Sequence, residues 1–416
     1  MKTPKMYIFI LALAFSIKSG ALFADDFAYV TSKGTTDITV VNATTNTVTP
    51  PIGIGTSSVW AGISPDGSFV YVSNATTNSV DIIDTSTNTV TASVPLGASP
   101  AGIAASLDGS FVYVANNAPS VSVISTATNS VVATVPVGAN PGGIAVTPNG
   151  SFVYVANTGA NSVSVINTGT NSVIATITVG IGTSPVEVEV TSNGNFAYVT
   201  NGNSGSVSVI NTGSNTVIAT VTVGTSPFGL AITPDGSFAY VANQSTNDVS
   251  VINTATNMLS NTISVGNNPI DVAITSDGNF AYVTDASSDS LSVIDIGTGT
   301  VSATIALTSG TSPHGLVITP SILPLESLMV SAKSKKNHFL TESDLTTVLN
   351  WSTPLDGAIA TQYKIYRDGV LIATIPAGDF RTYVDHNRKK NRTYVYQVIA
   401  EDETGAAAVG SVSIKS

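Results

Sequence analysis

Pro227-Phe-Gly-Leu-Ala-Ile-Thr-Pro-Asp-Gly-Ser-Phe-Ala-Tyr-Val-Ala-Asn243, continued by Asp248-Val-Ser-Val-Ile-Asn-Thr-Ala-Thr-Asn-Met-Leu-Ser-Asn-Thr-Ile-Ser-Val265, is one unit of the repeat that decides the fold. Its anchor recurs as Phe27-Ala-Tyr-Val, Phe69-Val-Tyr-Val, Phe111-Val-Tyr-Val, Phe152-Val-Tyr-Val, Phe196-Ala-Tyr-Val, Phe238-Ala-Tyr-Val and Phe280-Ala-Tyr-Val, at spacings of 42, 42, 41, 44, 42 and 42. Within the unit, Gly229 to Thr233 alternates as a first strand and Pro234-Asp235-Gly236 supplies a tight turn. Phe238 to Ala242 is the second strand, Asp248 to Ile252 the third and Met258 to Val265 the fourth. Four antiparallel strands in about 42 residues cannot bury both sheet faces alone, whereas a ring of such units can. The pattern therefore predicts a seven-bladed β-propeller with four-stranded blades.

Rival repeat architectures fail on the residues. Helical arrays need apolar spacing of three and four, which is absent, and β-helix repeats are shorter. The ring should close one-plus-three: the chain enters on a second strand at Phe27, and the strand Pro313 to Thr319 is left to complete that blade. Pro50, Pro51, Pro95 and Pro136 fall on fourth strands, where a missing N–H discourages edge pairing.

Residues 25 to 320 resemble the YVTN-repeat β-propeller family, on Tyr198-Val-Thr-Asn201, Tyr71-Val-Ser-Asn74 and Tyr154-Val-Ala-Asn157, and on the longer stretch from Ser206 to Gly224. That resemblance implies a seven-bladed, surface-layer-like or exported protein. Some related propellers are lactonases or lyases.

At 10% charged residues the surface must be built mainly from Thr, Ser and Asn. Residues 25 to 325 hold one basic side chain, Lys33, against sixteen carboxylates, so nucleic acid is not an expected partner. Zero Cys excludes disulfides and thiolate metal sites. Lys2, Lys5 and the apolar run from Met6 to Ile17 have the layout of a cleaved signal peptide over residues 1–24. The mature chain is then expected without a membrane span, and secreted, periplasmic or on the cell surface.

After Thr319 the repeat stops, Pro320 and Pro324 interrupt the chain, and residues 326 to 416 hold eleven basic against ten acidic side chains. The expected layout is a propeller at 25–320, a linker at 321–326 and a second domain at 327–416. Seven strand-like runs in that tail suggest a β-sandwich. It resembles fibronectin type III domains on Leu349-Asn-Trp351, Tyr363-Lys-Ile-Tyr-Arg-Asp-Gly369 and Tyr396-Gln-Val-Ile-Ala400, which implies a core Trp351 and a corner Tyr396. The tail is expected to leave the ring on the face of the tight turns, opposite the longer loops.

Chemistry is sparse. The ring holds one histidine, His314, and there is no phosphate-binding Gly loop, nucleophile elbow or Cys nucleophile. Asp66, Asp108, Asp235 and Asp277 read as turn formers, as do Asp84 and Asp295. Asn74, Asn116, Asn157, Asn201 and Asn243 read as caps of the loops that follow second strands. Aligning first strands isolates the exceptions: Trp60, Glu187 and Asp271 stand where other units have Gly102, Gly143, Gly229 and Gly315. Phe228 and His314 replace Ala101 and Gly142, and Glu189 replaces Ala145, Ala231 and Ala273. These six residues form the candidate ligand site at the loop-face mouth of the channel, with Trp60, Phe228 and His314 as an apolar rim. Glu187, Glu189 and Asp271 could hold a calcium-like cation or a partner's basic group; no other cofactor is expected. With so little acid-base chemistry, the expected function is an exported, non-enzymatic binding or scaffold protein for a protein or carbohydrate ligand. The alternative is a propeller hydrolase or lyase of the lactonase type.

Overall fold

The structure is a computed structural model that describes residues 26–54, 58–180, 183–320, 330–339, 342–351, 362–367, 370–376, 382–385, 393–401 and 407–415. The expected leader and the linker lie outside these residues, and with them the expected exit direction of the tail beyond Pro320. Every described element is a strand.

Seven sheets form the ring. Blade 5 shows the plan: an inner strand Pro185–Val190, then Phe196–Asn201, Ser206–Asn211 and an outer strand Thr216–Thr222, each antiparallel to the last. Blades 2, 3, 4, 6 and 7 repeat it with inner strands Ser58–Ile63, Pro100–Ala105, Pro141–Val146, Pro227–Ile232 and Pro269–Ile274. Blade 1 closes the ring as expected. Pro313–Ile318 supplies its inner strand, pairing with Phe27–Ser32 so that Tyr29 faces Val317. Its outer strand is split into Thr47–Val48 and Ile52–Gly53, because Pro50 and Pro51 between them have no N–H for the ladder.

Alternation along each second strand fills the space between blades. Tyr198, Val207 and Val209 of blade 5 pack against Leu230, Ala239 and Val241 of blade 6. Each buried aliphatic side chain contributes about 1.5–3 kcal/mol. The tyrosine of the repeat links neighbours: the hydroxyls of Tyr29, Tyr154, Tyr198 and Tyr282 donate to Asn88, Asn215, Asn257 and Asn46 of the next blade at 2.6–2.7 Å. These asparagines adopt positive φ, which Asn tolerates better than most residues. Tyr282 to Asn46 locks blade 7 to blade 1 across the seam of the ring.

Turn aspartates behave as the sequence indicates. Asp235 Oδ1 accepts from the Ser237 N–H at 3.0 Å and the Thr233 hydroxyl at 2.6 Å, and Gly236 follows at φ +71°. The asparagine series differs from expectation. Asn74 does cap its loop, accepting from Thr76 and Thr77 N–H. Asn116, Asn157, Asn201 and Asn243 instead donate Nδ2 across to third-strand side chains, as Asn201 does to Ser206 and Ser208 at 3.2 and 2.9 Å. Oδ1 of these four residues, the atom a loop cap would use, has no hydrogen-bond partner among the described residues.

Residues 330 onward form two sheets, one of Val330–Phe339, Glu342–Trp351 and Thr382–Asp385, the other of Val370–Pro376, Gln362–Arg367, Thr393–Glu401 and Ala407–Lys415. Leu349 of the first shares a core with Tyr363, Ile365, Tyr394, Tyr396 and Val398 of the second, a sandwich-like arrangement. Tyr396 donates at 2.6 Å to Asp385, which also accepts from Arg367 at 2.9 Å. The side chain of Trp351 lies outside the described residues.

Candidate active site

The inner strands begin on the loop face and end on the turn face, so a residue's place in the strand sets its depth in the channel. Pairing with the second strand skips near the start: in blade 5 the register shifts between Pro185 and Val188, and the same shift recurs in blades 6 and 7. Such a bulge takes the second and third residues out of the ladder and re-aims their side chains. Phe228, His314, Trp60, Glu187 and Asp271 all sit at these bulged positions.

A bulge leaves the third residue's N–H without a ladder partner, and a hydroxyl answers it. Thr200 accepts from Glu187 N–H at 3.0 Å and donates to Phe228 O in blade 6 at 2.6 Å. Thr284 accepts from Asp271 N–H at 2.9 Å and donates to His314 O at 2.8 Å. Thr31 joins Gly315 N–H to Val59 O in the same way, at 2.7 and 2.9 Å. Ser73 accepts from Trp60 N–H at 3.0 Å. The sequence carries this signal in six of seven blades: Ser73, Thr200 and Thr284 accompany Trp60, Glu187 and Asp271, and Ala115, Ala156 and Ala242 accompany Gly102, Gly143 and Gly229, the exception being Thr31 with Gly315. The comparison of first strands alone missed it.

The three aromatic residues meet across the channel although they come from blades 2, 6 and 1. Trp60 stacks on Phe228 with centroids 5.8 Å apart, and His314 stands edge-on to both, at 5.3 and 5.7 Å. Trp60 and His314 are buried. His314 Nδ1 lies 2.9 Å from Val59 O, an obligate acceptor, so Nδ1 carries the proton. Burial, reinforced by Lys33, pushes the His314 pKa down to about 3, and the ring is neutral.

Together these rings form a plug at the loop-face end of the channel, which corrects the expected rim of an open mouth. The space lies on the other side. A cavity of about 400 Å³ is lined by Trp60, by the carboxylate residues and by later inner-strand residues such as Ile63, Ala145, Ile232 and Ile318, and exposed Pro234 marks its rim on the turn face. The aromatic contact needs rings reaching over the axis from opposite sides, which strand alignment does not encode.

Glu187, Glu189 and Asp271 share that cavity. Glu187 Oε1 accepts from Val188 N–H at 3.1 Å, and its carboxyl also accepts from Ile144 N–H of blade 4. Asp271 is held from both sides, by Val272 N–H and by Leu316 N–H of blade 1, each at 2.9 Å. Glu189 takes no hydrogen bond from the described residues. Burial, and then mutual repulsion, raises Glu187 well above the usual carboxyl range. Burial and the charge of Asp271 raise Glu189 to about 7, and burial raises Asp271 to about 7. Among the described residues no group of three His, Cys, Asp or Glu side chains is placed to hold a metal ion. The arrangement offers instead carboxyls that exchange protons near neutrality in a mostly aliphatic tube.

Residues 79–176, 120–217 and 171–263 match the model of the lactonase, 7-bladed beta-propeller family. No curated protein matches the chain. The fold is similar to that of the periplasmic gluconolactonase of Pseudomonas aeruginosa, at 20% identity and TM-score 0.60 over 71% of this chain and 99% of that one. A candidate 6-phosphogluconolactonase from Bacteroides uniformis is comparably similar, at 18% identity and TM-score 0.61 over 71% and 99%. So is Kuenenia stuttgartiensis hydrazine synthase, at 21% and TM-score 0.60 over 64% and 91%. These likenesses show the propeller fold, whereas the family match names an enzyme class. It overturns the expectation of a non-enzymatic binding or scaffold protein and points to the lactonase-type alternative, and the YVTN resemblance is thereby coarsened to a seven-bladed propeller similar in residues 79–263 to the lactonases.

Proposed function

We propose that this chain hydrolyses a lactone inside the channel, on the turn-face side of the aromatic plug. The observation that carries the reading is Glu189: a carboxyl without a described protein partner, titrating at about 7, in a cavity of about 400 Å³. A group with that pKa is half ionised at neutral pH, which suits a general base. Ionised Glu189 removes a proton from water as the oxygen adds to the lactone carbonyl. Glu187, which burial holds well above the usual carboxyl range, favours its protonated form; Oε1 accepts from Val188 N–H, and the carboxyl proton donates to the oxyanion. The intermediate collapses with cleavage of the ring C–O bond, and protonated Glu189 returns its proton to the ring oxygen. One water is consumed and one hydroxy acid is formed. The product is an anion, and the surrounding carboxyls favour its departure.

The finer assignments accompany this reading. A leader at 1–24 exports the enzyme from the cytoplasm, and the tail is a fibronectin type III-like module; among the described residues no helix is long and apolar enough to cross a membrane. Purified protein is tested against unsubstituted γ- and δ-lactones with a proton-release assay. Turnover sensitive to Glu189→Gln is expected; folded protein inert on every lactone sinks the reading.

A further inference from the structure

The cavity wall constrains the charge of the substrate. Its lining contains three carboxyl side chains, Trp60, and otherwise aliphatic or glycine residues and one proline. Residues 25 to 325 contain one cationic side chain, Lys33, which follows the second strand of blade 1 on the loop face. The backbone N–H of Lys33 bonds to Ser312 O, in the loop leading to His314, so this cation stands at the plugged end. No lysine or arginine of the ring is therefore available to pair with a phosphate or carboxylate on the substrate. An anion moved beside Glu189 and Asp271 loses its hydration and meets like charge as they ionise, and both effects oppose binding.

A cationic arm meets the opposite situation. It finds acceptor oxygens whose ionisation it favours, and Trp60 offers an aromatic wall of the kind that attracts quaternary ammonium groups. Asp271 is the residue best placed to hold such a charge: two backbone N–H groups from two blades fix its carboxylate, and Glu189 remains free for the water. Resting on the lactonase reading of this site, we propose that the channel selects lactones bearing a positively charged arm and rejects phosphorylated or carboxylated ones, with Asp271 as the specificity determinant.

The test uses the full chain and three δ-lactones that share a ring and differ in the arm: trimethylammonioethyl, its uncharged tert-butyl isostere, and carboxyethyl. The expected result is kcat/KM at least about tenfold higher for the cationic than for the neutral compound, with hydrolysis of the anionic one below detection. That ratio should collapse toward one in Asp271→Asn, whatever the variant's absolute rates. Equal rates on cationic and neutral compounds, or efficient hydrolysis of the anionic one, overturn the charge selection and leave the lactonase reading standing. If no lactone is hydrolysed, the lactonase reading falls, and the matching non-hydrolysable lactams decide the charge question by thermal melting. A midpoint raised by the cationic lactam in the wild type but not in Asp271→Asn supports selection; no shift, or the same shift in both, overturns it.

Discussion

Blades 4 and 5 are neighbours built almost alike, and only their channel sides differ. Both tie the second strand to the third through an asparagine, Asn157 to Ser164 and Asn201 to Ser208, each at 2.9 Å. Both reach the next blade through a tyrosine, Tyr154 to Asn215 and Tyr198 to Asn257, each at 2.7 Å. Inside, Pro141-Gly-Gly-Ile-Ala-Val146 corresponds to Pro185-Val-Glu-Val-Glu-Val190, and Ala156 to Thr200. Three strands of each blade therefore carry the fold, and the inner strand is free to carry chemistry. The pair is also complementary: a Cβ on Gly143 would lie 2.6 Å from Glu187 Cα, so the bare blade makes room for the charged one. Gly229 does the same for Asp271 in blades 6 and 7, where the corresponding distance is also 2.6 Å.

The comparison breaks most severely if that room is filled. Gly143→Ala should cost about 3 kcal/mol, since the neighbouring backbone must shift. Adding Glu187→Gly should recover only part, because Glu187 Cα is itself in the way; denaturant unfolding measures both. Full recovery would place the whole conflict in the side chain.

Charge gives the next effect, and its sign follows from the raised pKa values. Buried carboxyls near 7 bind protons in the folded state that the unfolded chain, with pKa near 4, has released, so stability falls as pH rises between those values. Glu189→Gln should therefore stabilise the protein by about 1–3 kcal/mol at pH 8, and the gain should vanish near pH 4. A pH-independent difference would mean that Glu189 is not titrating within the fold.

Thr200→Val removes an acceptor from Glu187 N–H and a donor to Phe228 O, and should lower stability by about 1–2 kcal/mol. Thr200→Ser, which keeps the hydroxyl, is the control and should cost less. Smallest of all, Tyr154→Phe and Tyr198→Phe should each cost about 1 kcal/mol and should agree, because the bonds they lose are the same. Unequal costs would show that the outer architecture is less uniform than its geometry.

Most of the ring was legible in the sequence because its information is periodic. Phe238-Ala-Tyr-Val recurs in register, and closure by Pro313–Ile318 follows from counting strands. Departures from the period located Trp60, Glu187, Glu189, Phe228, Asp271 and His314; Trp60 and the three carboxyls line one cavity, and Phe228 and His314 pack on Trp60. Which end of the channel is filled was not legible, since Trp60 and Phe228 lie more than a hundred residues apart and meet only through the ring's curvature. The bulges were not legible either, so Gly229 looked like the start of a strand that begins at Pro227. The lactonase-type reading ranked second in the sequence because the proposal for it rests on carboxyls in a cavity rather than on a recognisable triad.

The most direct measurement is the pH dependence of lactone hydrolysis by the wild type and by Glu189→Gln, with folding of both verified. The expected wild-type kcat/KM rises through an apparent pKa near 7 belonging to the carboxyl cluster, and the variant falls by about 10²–10⁴ with its base removed. A variant as active as the wild type, or a wild-type profile flat from about pH 5 to 9, contradicts a carboxyl-driven hydrolase in the channel.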